Sequence, residues 1–391
     1  MDEQFDLGGV AESSLTRSDL LKRAAGAVAG ATLVGGFFIE EAAGRSSLTK
    51  VRWISPRGTL DVMDDFNLWV PIKMGYYRRL GIDLSLAPGD ASGNLPQVAA
   101  HQVDMGYPSP GVLTSSIDAG IPVISIWEQY PAQVFDFVLP GDSKITSAKQ
   151  LEGKKIAVLT IGWKSIIDPI LADAGADPKS VKYVELGTQW VQAVARGQAD
   201  AGLVWEGLRA QLAGEAAHFG AAFNIKFLIG AKFSKDPSNV YAIRKAEITD
   251  AKKKDIYTRF LAGVVMGFEF CRANPRAAAQ ITYGQLPALQ SIISPQVALE
   301  SMVQLASGYS LRKRQGHPWG SFDTGAWNSY LKTIADLGQV KKRYTFNDVI
   351  NTSLILAANK KADVARARRD AKRFKVNSYF AKTKLPKGLP I

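Results

Sequence analysis

Cysteine is almost absent from this 391-residue chain: Cys271 stands alone, so no internal disulfide and no cysteine cluster for a metal can form. Histidine is nearly as scarce. His101, His218 and His317 lie far apart, without the His-x-x-x-His spacing that sets two imidazoles on one helix face. No nucleophile elbow is complete either, because Ser109 sits in Gly106-Tyr107-Pro108-Ser109-Pro110-Gly111, one residue longer than Gly-x-Ser-x-Gly. Gly162-Trp163-Lys164-Ser165 lacks the glycine spacing and the Gly-Lys pair of a phosphate loop. The usual signatures of metal, acyl-transfer and nucleotide chemistry are therefore missing, and no cofactor is expected.

Charge of one sign is scarce only at the C-terminus. The net charge is +12, and residues 360–391 hold eleven Lys or Arg against Asp363 and Asp370. The basic excess belongs to a tail, so nucleic acid is not the expected partner of the body. At the other end, Arg17, Lys22 and Arg23 precede the uncharged stretch Ala24–Ile39, followed by small residues at Ala42, Ala43 and Gly44. These sixteen residues are short for a bilayer span. They read as an export signal covering residues 1–44, addressed to the periplasm or cell surface. Thr16-Arg17-Ser18-Asp19-Leu20-Leu21-Lys22 is similar to the twin-arginine motif, with Ser18 in place of the second arginine, so the general secretory and twin-arginine routes both stay open.

What the chain does have is a phrase repeated. Ala99–Gly106 closes on Gln102-Val103-Asp104-Met105-Gly106, and Ala195–Gly202 closes on Gln198-Ala199-Asp200-Ala201-Gly202. Each copy ends a helical stretch, turns at Gln-x-Asp and enters a short apolar strand. Two halves on one plan imply a cleft between them. Strands are expected at Lys50–Ser55, Ile82–Leu86, Val103–Tyr107 and Val123–Trp127, then at Ile156–Leu159, Val181–Leu186 and Ala201–Trp205. A helix capped by Asp64 or Asp65 is expected to run to about Arg79, with a kink or an early turn at Pro71. Residues 251–286 read as strongly helical with a wide apolar face, Tyr309–Gly325 as a polar loop, and the end beyond Arg373 as loose. The alternation predicts an α/β fold of two lobes, each a mainly parallel sheet flanked by helices. Lobe I takes residues 46–132 and about 235–358, lobe II residues 133–234, and residues 359–391 form the basic tail.

The motifs, in order, resemble those of periplasmic solute-binding proteins of ABC importers, in the branch serving thiamine-pyrimidine precursors, alkanesulfonates, taurine and nitrate. The residues that carry the resemblance are Met74-Gly75-Tyr76-Tyr77 with Leu80-Gly81-Ile82-Asp83-Leu84, the two Gln-x-Asp phrases, Gly120-Ile121-Pro122-Val123, and Leu151-Glu152-Gly153-Lys154-Lys155-Ile156. The resemblance implies two α/β lobes joined by two crossovers near residues 128–135 and 225–240. It implies a monomer that binds a small organic molecule and hands it to an ABC permease and its ATPase, touching the membrane only through that transporter.

Carried onto matching positions, the resemblance nominates Thr59, Asp64 and Asp65 in the loop after the first strand, then Asn94 and Ser109 in the same lobe. In the second lobe it nominates Trp163, Lys164, Ser165, Trp190, Trp205 and Glu206, with Glu206 as a hydrogen-bond partner for a pyrimidine ring. Physical chemistry supports the set: helix starts attract polar ligand groups, and three tryptophans can form an aromatic wall. Asp64 facing the cleft would favour a cationic or hydrogen-bond-donating ligand over sulfonate. Two other readings remain. One is a pyrimidine-synthesising enzyme of the same fold, which the resemblance associates with an active-site histidine and a cysteine-rich run. Pro110–Ser116 has no histidine, and Cys271 has no companion. The other is a polyanion- or surface-binding protein acting through the basic tail, whose Phe374, Tyr379 and Phe380 lie among the charges.

Overall fold

The computed structural model describes residues 48–391, so the export signal read at residues 1–44 lies outside the described residues. Among the described residues no helix is long and apolar enough to cross a membrane. The strands are β1 (Thr49–Ile54), β2 (Ile82–Ala87), β3 (Met105–Gly106), β4 (Val123–Glu128), β5 (Phe135–Pro140), β6 (Lys155–Val158), β7 (Lys182–Glu185), β8 (Ala201–Trp205), β9 (Ile225–Leu228) and β10 (Val240–Arg244). They form two five-stranded sheets, ordered β2-β1-β3-β10-β4 and β7-β6-β8-β5-β9. In each, four strands share one direction and one, β10 or β5, runs against them. The chain leaves the first sheet after β4, builds the second, and returns as β10. That is the expected two-lobed α/β architecture.

The apolar runs explain the burial. Val123–Glu128 is buried at every position, as a strand covered on both faces requires. In β5 the alternation sorts side chains to opposite faces: Phe137 and Leu139 join the main core, and Val138 joins a smaller cluster with Ala157, Val194, Val204 and Leu208. The Ala251–Ala273 helix starts at Asp250, whose carboxylate accepts from Lys252 N–H at 2.8 Å and Lys253 N–H at 3.1 Å. Every residue from Phe260 to Cys271 is buried, so this helix is internal rather than merely amphipathic. Asn274 ends it and caps the following Pro275–Tyr283 helix.

Three expectations differ from the structure. The first helix, Phe66–Lys73, carries Pro71 within it and breaks at Gly75, whose φ of +70° is a left-handed stop, before a short turn of helix at Tyr76–Arg79. Neither Asp64 nor Asp65 caps it through a side chain. The segment after Tyr309 contains a helical turn at Leu311–Arg314. The residues beyond Arg373 are not loose: after the Val364–Arg373 helix, which packs on Ala251–Ala273, Ser378–Ala381 forms a turn of helix with Phe380 buried.

Candidate functional site

Ligands of open α/β sheets sit beyond the carboxyl ends of the strands, and both sheets direct those ends to one cavity. After β1 the Ser55-Pro56-Arg57 turn folds Arg57 inward until only 8% of it is exposed. Its guanidinium pairs with the Asp65 carboxylate, lies 3.5 Å from Asp64 Oδ2, and stands 5.8 Å from the centre of the Tyr107 ring. After β3, Ser109 caps the Pro110–Asp118 helix by accepting from Val112 N–H at 3.3 Å. From the other lobe, Trp163 follows β6 and Trp205 ends β8, their rings perpendicular with centroids 6.5 Å apart. The lobes meet at Asp64, whose Oδ2 accepts from Trp205 Nε1 at 2.6 Å. Close approach at this point needs a glycine: a Cβ on Gly207 would lie 2.3 Å from Asp64 Oδ1.

The cavity holds about 590 Å³ of atom-free space, counting its open mouth. The first lobe contributes polar and charged groups, chiefly Arg57, Asp64, Tyr107 and Ser109, while the second contributes Trp163, Ile166, Leu203 and Trp205. Tyr130, Asn239 and Tyr309 complete the wall. Burial, helped by the neighbouring Asp65, pushes the Asp64 carboxyl up to about 6 despite the Arg57 guanidinium. Arg57 stays charged because Asp65 and Asp64 together outweigh its burial. One guanidinium thus serves two carboxylates, and the site leans negative.

Of the eleven nominated residues, Asp64, Ser109, Trp163 and Trp205 line this cavity. Thr59 and Trp190 line an adjoining one that shares Arg57 and Trp205. Trp190 also donates from Nε1 to the Leu203 carbonyl at 2.8 Å and packs edge-on to Trp163. The rest are engaged elsewhere. Asp65 stands behind Asp64 on Arg57. Asn94 is buried at a helix start, donating to the Asp90 and Ala91 carbonyls at 3.1 and 2.9 Å. Lys164 turns outward to Asp168 at 2.8 Å. Ser165 donates to the Gly162 carbonyl at 2.8 Å, and its own carbonyl presses on Gly111, where a Cβ would come within 2.4 Å. Glu206 is held by the Tyr130 hydroxyl and by Arg209 at 3.3 Å, outside the cavity wall, because Arg209 is anchored on the buried Asp136 at 2.5 Å.

Sequence reasoning missed Arg57, Tyr107, Tyr130 and Tyr309. Arg57 opens the loop after the first strand from which Thr59, Asp64 and Asp65 were nominated, and a lone arginine before two adjacent aspartates is a charge-pairing signal. Tyr309 ends the Pro295–Tyr309 helix, far outside the motifs, and nothing local marks it.

Residues 66–278 match the family described as NMT1/THI5 like. Among curated proteins the chain is similar to the 4-amino-5-hydroxymethyl-2-methylpyrimidine phosphate synthase of Legionella pneumophila, 29% identical over 132 residues, which is 34% of this chain. That alignment spans only 42% of the synthase. Among solved structures it is similar to a Bordetella bronchiseptica protein, with a TM-score of 0.61 and 15% identity over 80% of this chain and 97% of that one. It is also similar to the alkanesulfonate-binding protein SsuA of Xanthomonas axonopodis bound to MOPS, with a TM-score of 0.56 and 13% identity over 80% and 99%. With the match covering more than half of its length, the chain belongs to the NMT1/THI5-like family and has the two-lobed fold of periplasmic binding proteins.

Proposed function

We propose that this protein is an exported, non-enzymatic solute receptor that closes its two lobes around a small heteroaromatic molecule and delivers it to an ABC permease and its ATPase. The observation that carries the reading is the division of the cavity wall. The charged groups Arg57 and Asp64 and three tyrosines come from one lobe and the tryptophan pair Trp163 and Trp205 from the other, so a ligand gains its full set of contacts only when both lobes touch it. The segments between β4 and β5 and between β9 and β10 are the natural hinge.

The electrostatics favour one ligand class. Arg57 is already shared by Asp64 and Asp65, which leaves no free cation in the wall for a sulfonate. A ring bearing an amino group offers donors to the Asp64 carboxylate and a face to Trp163 or Trp205. This supports a pyrimidine-like ligand. The synthase alternative is associated by resemblance with a histidine and a cysteine-rich run, and neither residue type is among the residues that line the cavity; its acid–base group, Asp64, is engaged by Trp205 and Arg57.

Isothermal titration of the full chain with 4-amino-5-hydroxymethyl-2-methylpyrimidine and with the sulfonate MOPS tests the reading. Binding of the pyrimidine without turnover is expected, weakened about 10- to 100-fold by Asp64→Asn, which corresponds to about 1.4–2.7 kcal/mol. Preference for MOPS would overturn the ligand class while leaving the receptor in place. Formation of the pyrimidine phosphate by the chain would overturn the receptor.

A further inference from the structure

Solute capture leaves the most strongly charged part of the chain without a role. The C-terminal backbone is fixed on the first lobe at several points. Glu269, buried in the Ala251–Ala273 helix, accepts from Arg368 Nε at 2.8 Å and Nη2 at 2.6 Å. Tyr76 Oη donates to Asp370 at 3.1 Å. Further on, Arg276 holds the Thr383 carbonyl at 3.1 and 3.0 Å, and Gln296 exchanges hydrogen bonds of 2.7 and 2.9 Å with the Lys384 backbone. Arg314 reaches the Pro390 carbonyl at 2.8 Å.

With its backbone held, the segment turns its cations to solvent. Lys372, Arg373, Lys375, Lys382, Lys384 and Lys387 are all exposed, and no acidic residue follows Asp370. The ion pairs of this region end with Lys361, Arg366 and Arg368, so none of the six is paired among the described residues. Between them stand Tyr379, 74% exposed, and Leu385, 42% exposed. Six unpaired like charges on an anchored surface repel one another and gain by meeting a surface of opposite sign. The two apolar side chains say which one. An acidic protein satisfies the charge alone, and a nucleic acid adds stacking on Tyr379 but leaves Leu385 without a partner, whereas a bilayer interface takes up the lysine stems, the tyrosine ring and the leucine together. The alanine face of the Val364–Arg373 helix is spent on the protein, so the contact is peripheral rather than inserted.

We propose that Lys372–Lys387 is a membrane-docking surface that holds the receptor against an anionic phospholipid bilayer. The cations meet headgroup phosphates, and Tyr379 and Leu385 seat at headgroup depth. This goes beyond the solute-receptor reading and does not depend on it.

Co-sedimentation of the full chain with vesicles tests it, using phosphatidylglycerol mixed with phosphatidylcholine against phosphatidylcholine alone. Binding to the anionic vesicles, lost as salt rises, is expected. Each cation near the surface is worth about fivefold in partitioning, so K372E/R373E/K375E should weaken binding at least about 100-fold. Y379S/L385S should weaken it less and leave the salt dependence unchanged. None of these side chains carries a fold contact described above, so an unchanged melting temperature shows that the variants are folded. Equal binding to both vesicle types would overturn the proposal, because the apolar stretch 24–39 would then account for it. So would a charge-reversed variant that sediments like the parent, or capture by heparin without capture by vesicles.

Discussion

In both lobes the repeated Gln-x-Asp-x-Gly phrase makes the same joint. Asp104 N–H donates to the Arg52 carbonyl at 2.8 Å while its Oδ2 accepts from Arg52 N–H at 2.9 Å. Asp200 does the same with Lys155, at 2.9 and 2.8 Å. The glycines match as well: a Cβ on Gly106 would meet Asn94 and Leu95 at 2.9 and 3.0 Å, and one on Gly202 would meet Val194 and Trp190 at 3.1 and 3.2 Å. In each lobe the aspartate locks the third strand beside the first, and the glycine lets a helix lie on it. The repeated words are framework. What is not repeated lies at the opposite ends of those strands, where one lobe places Arg57 and Asp64 and the other Trp163 and Trp205. In the receptor proposed above, ligand contacts would come from the divergent loops and not from the shared plan.

The comparison can be tested from its largest expected effect to its smallest. Each lobe holds an arginine between two carboxylates, Arg57 with Asp64 and Asp65, and Arg209 with Asp136 and Glu206. Arg57→Met should cost about 3–5 kcal/mol in urea unfolding, because it strands two buried carboxylates. Arg209→Met should cost about half as much, since Glu206 is partly solvated. Equal losses would mean that burial does not separate the two clusters.

Next come the paired joints. Asp104 also accepts from Arg52 Nε at 3.1 Å and lies 3.5 Å from Arg244, contacts that Asp200 lacks. Those arginines outweigh burial and hold the Asp104 carboxyl below the usual range. Asp104→Ala should therefore lose about 2–3 kcal/mol, and Asp200→Ala about 1 kcal/mol, by denaturant unfolding. The stabilisation from Asp104 is present above the ordinary carboxylate range and fades as acid protonates it.

Trp205→Phe keeps a ring but removes the 2.6 Å bond to Asp64 that joins the lobes. A loss of about 1 kcal/mol of stability is expected. The same variant should show a larger radius of gyration in solution scattering if that bond favours closure. No change in dimension would leave the bond local.

A slope with pH is expected as well. Glu128 is buried at the end of β4, and burial pushes its carboxyl up to about 8 although Trp327 Nε1 and Asp323 N–H donate to it at 2.6 and 3.0 Å. A raised carboxyl stabilises the fold below its ordinary range and loses that contribution as pH rises through about 8. Melting temperature should fall over that interval in the parent and fall less in Glu128→Gln.

Much of the fold was legible because it is written locally. Short apolar runs and alternation marked seven of the ten described strands, whereas the first helix stops at Gly75, short of its expected end near Arg79. The candidate site was half legible. Trp163 and Trp205 were readable from their place after strands β6 and β8. Glu206 was not, because its direction depends on Arg209 and on Asp136, a buried residue 70 positions back in β5. The tail looked loose because its composition is polar, and its anchors, Glu269, Arg276 and Gln296, are scattered along other helices.

Read alone, the chain determined its two-lobed plan, because strand periodicity and the repeated joint are short-range properties of consecutive residues. It also determined where its charge is concentrated. Only the tertiary structure decided that one guanidinium would be shared by two carboxylates, that Tyr130 and Tyr309 would close the cavity, and that the basic end would be an anchored face. Those outcomes depend on which side chains meet across long stretches of sequence and on how much water is left between them. Burial and pairing are properties of the assembled fold, and no local pattern carries them.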